Sequence, residues 1–124
     1  MTEGNSNSGI DLSYLNEIAG GSAEFMIEMI DIFIEQTPIY MEQMEEAVKA
    51  SDWKSVGDVA HKIKPTLAFM GLEEAREQMA EIERKARNLD DVDTIEGQYY
   101  EIKEKCTQLY IGLEKAKEEL KAQL

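Results

Sequence analysis

Eight apolar side chains, Ile95, Tyr99, Ile102, Cys106, Leu109, Leu113, Ala116 and Leu120, recur every three or four residues through the C-terminal part of the chain. An α-helix turns about 100° per residue, so this spacing draws one stripe down one helical face. A stripe this long commits the segment to a helix that buries that face against neighbours. Gly97 and Gly112 interrupt it, each at up to about 1 kcal/mol of helix propensity, so packing has to outweigh propensity here.

The same spacing returns upstream. Asp11 to Ile18 reads as a short helix capped by Asp11 and stopped by Gly20-Gly21. Ser22 caps a second helix with Glu24 in its first turn, where the helix dipole favours an acid. Met26, Met29, Ile30 and Phe33 line one side of it. Thr37-Pro38 marks a break, with Thr37 as N-cap and Pro38 at the first position of a third helix. That helix carries Met41, Met44, Ala47 and Val48 inward and ends near Ala50.

Ser51 or Asp52 caps a fourth helix with the stripe Trp53, Val56, Ala60, Ile63, Leu67 and Met70, which Gly71 stops. A fifth follows at once, with Leu72, Ala75, Met79, Ile82, Ala86 and Leu89 inward and Lys85 and Arg87 at its C-terminal end. Asp93 with Glu96 resembles a capping box for the last helix. Short turns between long amphipathic helices make antiparallel neighbours. The expectation is an all-α protein, an antiparallel up-down four-helix bundle with a short N-terminal helical extension. Residues 1–9 form a flexible tail and residues 10–124 one bundle domain.

Composition removes several function classes. The formal net charge is −13, which repels phosphate backbones and argues against nucleic acid. No apolar run approaches the ~20 residues of a bilayer span. The N-terminus lacks the basic and apolar regions of a signal peptide, and Cys106 has no second cysteine to pair with. A cytoplasmic location is expected. A metal- or haem-binding bundle needs several inward ligands, which one histidine and one cysteine do not supply.

The one histidine, His61, lies within the fourth helix. With Ala60 at the centre of the buried stripe, His61 falls about a quarter-turn away, on the flank. Gly57, one turn earlier, and Ala68, two turns later, are small, so the ring should stand above a low surface. Lys64 shares its side of the helix. Trp53 to Met70 carries three lysines against one aspartate, a net of +2, leaving −15 for the rest of the chain. A basic island around an exposed histidine suits a group that carries negative charge for part of a cycle.

Ala60-His61-Lys62-Ile63-Lys64, with Gly71 ten residues after the histidine, resembles the signature of the histidine-containing phosphotransfer (HPt) domain. Asp11 to Leu15, Gly21, Phe33 to Pro38, Ala47 and Asp52-Trp53 extend the likeness over roughly Ile10 to Leu120. Pro65 departs from it, since the family usually has glycine there. Proline offers no N–H to the carbonyl of His61, so a kink or widened turn is expected at that point.

The resemblance implies a phosphorelay intermediate and phosphocarrier rather than an enzyme with its own ATP site. His61 is phosphorylated, Lys64 stabilises the phosphoryl group, and Gly57, Lys62, Pro65, Ala68 and Phe69 meet the partner. The implied partners are a response-regulator receiver domain and a sensor or hybrid histidine kinase. The protein is expected to be monomeric, with no metal or cofactor of its own and magnesium on the receiver. The alternative is a non-catalytic helical-bundle adaptor that binds a signalling partner.

Overall fold

The structure, a computed structural model, describes residues 11–124; the tail expected over residues 1–9 lies outside them. The Asp11 carboxylate accepts the Ser13 N–H at 2.9 Å and opens α1, Ser13–Ala19, which buries Leu15. Gly20, at φ +63°, ends it. The Ser22 hydroxyl accepts the Phe25 N–H at 3.2 Å and starts α2, Ala23–Lys49.

α2 corrects the sequence expectation. No break occurs at Thr37-Pro38, and the second and third predicted helices are one helix of 27 residues. Phe33, Thr37, Met41 and Met44 are all buried, so a single stripe crosses the proline without changing face. Pro38 itself faces solvent, where its ring displaces no neighbour. Only the Ile34 carbonyl loses its intrahelical partner, and continuous packing outweighs a cost of about 3 kcal/mol.

α3, Trp53–Phe69, is capped by Asp52, whose carboxylate accepts the Ser55 N–H at 3.3 Å and the Ser55 hydroxyl at 2.8 Å. It buries Val56, Ala60, Ile63 and Leu67. α3 also runs unbroken through Pro65, so of the kink or widened turn expected there the widened turn is not formed. Pro65 is exposed between the buried anchors Ile63 and Leu67. The helix closes with paired bonds, Gly71 N–H to Ala68 O and Leu72 N–H to Leu67 O, both 3.0 Å.

α4, Glu73–Asn88, buries Ala75, Met79, Ile82 and Ala86. Leu89 does not continue this stripe. It takes φ +53° just past the helix and is 69% exposed, because the left-handed cap turns it off the buried face. Lys85 stands with Arg87 in the last turn, as expected, and is buried. Its ammonium donates to Thr94 Oγ1 at 2.8 Å and Gln98 Oε1 at 2.9 Å.

A short 3-10 turn, Val92–Thr94, leads into α5, Ile95–Lys121. The expected Asp93–Glu96 capping box is absent, since that turn places Thr94 rather than Asp93 at the helix start. The α5 stripe is buried from Ile95 to Leu113 and again at Leu120. α2 packs on α3 and α5, and α4 packs on the same two helices, so the four long helices enclose one core. Between α2 and α5, Asp31 meets Lys117 at 2.8 Å, Glu45 meets Lys103 at 2.9 Å, and the Tyr99 hydroxyl donates to the Met41 carbonyl at 2.7 Å. Among the described residues no helix is long and apolar enough to cross a membrane.

Candidate functional site

Burial of Ala60 and Ile63 fixes how α3 is rolled, and that roll carries His61 to the outer flank beside α4. Its side chain is 68% exposed. Nδ1 lies 3.1 Å from Glu83 Oε2 on α4. Among the described residues Nε2, on the other side of the ring, has no hydrogen-bond partner.

Glu83 is the hub of the site. Its side chain is only 12% exposed, and Lys64 donates to Oε1 at 2.7 Å while Arg87 Nε donates to Oε2 at 3.0 Å. Burial works to raise its pKa. Hydrogen bonds from Lys64 and Arg87, with the charges of Lys64 and His61, outweigh that and hold the carboxyl below the usual range. Arg87 continues the chain of alternating charge to Asp58 at 3.4 Å, and Asp58 accepts from Lys54 at 3.2 Å.

His61 and Lys64 thus meet through one carboxylate. Lys62 and Pro65 are exposed nearby, and Ala68 is half-buried. Gly57 is not the open surface expected of it. It is buried under Arg87, whose Cγ would sit 3.1 Å from a Cβ at that position, and the guanidinium reaches its carbonyl at 3.5 Å. Glycine here lets α4 approach. Phe69 is likewise engaged, stacked on Tyr14 of α1 with ring centroids 6.0 Å apart and planes 18° from parallel.

Neither Glu83 nor Arg87 was assigned to the site from the sequence, although a signal for both was present. A tight α3–α4 turn makes a helical hairpin, and both contacts are centred on Leu72. His61 and Glu83 stand eleven residues either side of it, Gly57 and Arg87 fifteen. The open apolar surface was also missed. It lies on α1 and α2, where Tyr14, Ile18, Phe25, Ile32 and Ile39 are exposed.

Chemically, the arrangement offers a nucleophile. A carboxylate facing Nδ1 favours the tautomer with the proton there, which leaves the Nε2 lone pair directed outward. Among the described residues no group of three or more acids, histidines or cysteines is gathered to hold a metal ion.

A family model for the Hpt domain matches residues 28–122. The chain belongs to the Hpt domain family. Hpt domains are phosphocarrier modules that work in histidine phosphotransfer within two-component phosphorelays, alongside kinase and receiver domains, and they are not ATP-binding enzymes. The Hpt match takes in the whole of α3, α4 and α5 and α2 from Glu28 onward. No curated protein and no solved structure gives a match to the chain.

Proposed function

We propose that His61 Nε2 accepts a phosphoryl group from the aspartyl phosphate of a response-regulator receiver domain and returns it to a receiver aspartate. The observation that carries this reading is the exposed His61 ring with its Nδ1 against the Glu83 carboxylate. The Nε2 lone pair attacks phosphorus, the N–P bond forms, and the bond from phosphorus to the aspartate oxygen breaks, releasing the carboxylate. The Nδ1 proton stays in place. The ring becomes cationic, and the Glu83 carboxylate beside Nδ1 balances that charge. A cationic ring is also the better leaving group when the phosphoryl group departs.

Charge on the equatorial oxygens needs a counter-charge. Lys64, one carboxylate away from the ring, supplies it by turning from Glu83 toward the phosphoryl group. The exposed apolar residues Tyr14, Ile18, Phe25 and Ile32 suit docking of the receiver, and Lys62 and Pro65 are exposed on α3. Magnesium belongs to the receiver, and a sensor or hybrid kinase charges the relay. The Asp31–Lys117 and Glu45–Lys103 ties run in opposite directions along α2 and α5, which supports an antiparallel four-helix arrangement. The bundle domain takes in α1 and works as a cytoplasmic monomer.

The test is transfer from a phosphorylated receiver domain. Wild type should gain acid-labile phosphate and His61→Gln should gain none. If neither protein takes phosphate from a panel of receivers, the chain is an adaptor that binds its partner without chemistry. His61→Ala should leave stability within about 0.5 kcal/mol of wild type, because the ring is at the surface.

A further inference from the structure

Glu83 has two carboxylate oxygens and three partners. Oε1 accepts from the Lys64 ammonium at 2.7 Å, while Oε2 meets both His61 Nδ1 at 3.1 Å and Arg87 Nε at 3.0 Å. The oxygen that faces the imidazole is therefore the one that Arg87 holds. Glu83 and Arg87 stand one turn apart on α4, as Gly57 and His61 do on α3. The same hairpin that brings Glu83 to His61 thus brings Arg87 to Gly57.

Arg87 is braced from the α3 side. Its stem lies against Gly57, where a Cβ would crowd Cγ at 3.1 Å. The far nitrogens of the guanidinium turn to α3, Nη1 to Asp58 Oδ1 at 3.4 Å and Nη2 to the Gly57 carbonyl at 3.5 Å. One fork thus serves Glu83 with its near nitrogen and α3 with the other two, a geometry that a planar five-donor group allows and an ammonium does not. Asp58 is the one acid of α3. Hydrogen bonding and charge from Lys54, with a smaller share from Arg87, hold its carboxyl below the usual range against the effect of burial.

Lys64 and Arg87 differ in their freedom. Among the described residues the Lys64 ammonium has Glu83 as its one partner, so it can swing away on its flexible stem. When it turns to a phosphoryl group, Glu83 loses its Oε1 donor. The Glu83 side chain is only 12% exposed, and water replaces a lost partner poorly at such a site. We propose that Arg87, braced by Asp58, is a positioning residue that keeps Glu83 Oε2 on His61 Nδ1 while Lys64 is engaged with the phosphoryl group. Arg87 acts through Glu83 and not on the phosphoryl group itself. Its effect on rate rests on the phosphotransfer reading; its effect on the His61 ring does not.

The experiment reads the His61 imidazole ¹⁵N shifts and transfer from a phosphorylated receiver domain, both on the full chain. Arg87→Met keeps a stem over Gly57 and removes every donor. Alone it should move the tautomer balance little, because Lys64 still holds Glu83. In a Lys64→Ala chain it should move the balance as far as Glu83→Ala does. Transfer should fall about tenfold when Arg87→Met is made alone, and no further when it is added to Glu83→Ala. Asp58→Asn, which loosens the brace, should slow transfer about threefold and have no effect beside Arg87→Met; it carries the test if circular dichroism finds Arg87→Met misfolded. A tautomer balance in Lys64→Ala that Arg87→Met leaves unmoved would overturn the proposal. So would equal slowing by Arg87→Met, or by Asp58→Asn, with and without Glu83. If the ring shifts follow this order while wild type takes no phosphate, the phosphotransfer reading falls and the role of Arg87 stands.

Discussion

His61 Nδ1 and Glu83 Oε2 lie 3.1 Å apart, joining α3 to α4 across twenty-two residues of chain. This contact decides which ring nitrogen is free. Glu83→Ala removes the group that favours the proton on Nδ1. Phosphate acceptance should fall about 10- to 100-fold, the range seen when a group that orients a histidine is lost. The imidazole ¹⁵N shifts should move toward the other tautomer, which a purely structural role for Glu83 would not require. An unchanged tautomer balance with unchanged transfer would remove Glu83 from the mechanism.

Lys64 shares that carboxylate at 2.7 Å and is partly buried. Lys64→Ala should slow transfer about tenfold while leaving the thermal midpoint nearly unchanged, because the pair is part-exposed and worth at most about 1 kcal/mol. A fall in stability as large as that of a core truncation, with normal transfer by the folded fraction, would make Lys64 a packing residue.

Glu45 sets an acid limb on stability. Hydrogen bonding from Lys103 is the main cause that brings its carboxyl down from an ordinary 4.5 to about 2; burial opposes this, and Lys49 and Tyr100 assist. A native pKa below the unfolded one means stability that is fully present above pH 4.5 and lost as pH falls toward 2. Urea midpoints measured across that window should decline in wild type, and the gap between wild type and Glu45→Gln should close. High salt should shrink the gap at neutral pH. A gap that stays constant with pH would show that the tie adds nothing to folding.

The legible parts of the fold are those decided by one helix at a time. Side-chain period alone marks Val56, Ala60, Ile63 and Leu67 of α3 and Ile95 to Leu113 of α5 as buried, though not Gly57 and Val59, and Ser22, Asp52 and Gly71 mark ends because their chemistry acts within a few residues. Pro38 was misread because its local cost is real, while the packing that outweighs it lies on other helices. Asp93 and Leu89 failed for a related reason: left-handed residues at the α4–α5 connection, Leu89 and Asp91, redirect the chain. At the site, His61 was visible as a chemical group, but its carboxylate partner depends on the pairing of α3 with α4. Gly57 shows the same limit, since a small residue reads alike whether it opens a surface or admits a neighbour.

Gly71 and Gly97 make opposite predictions from one residue type. Gly71 takes φ +75°, and a Cβ there would collide with the carbonyl oxygen of Asp11. Backbone cannot yield as a flexible side chain can, so Gly71→Ala must displace the start of α1 or unwind the end of α3. A loss above about 2 kcal/mol is expected, together with loss of the Tyr14–Phe69 stack from the near-ultraviolet spectrum. Gly97 lies within α5 with nothing within 4 Å of its would-be Cβ, so Gly97→Ala should gain up to about 1 kcal/mol by propensity alone. Urea unfolding of the two variants beside wild type checks both signs. If Gly71→Ala matches wild type, α1 is not anchored through that close approach, and the apolar surface it carries is free to move relative to His61.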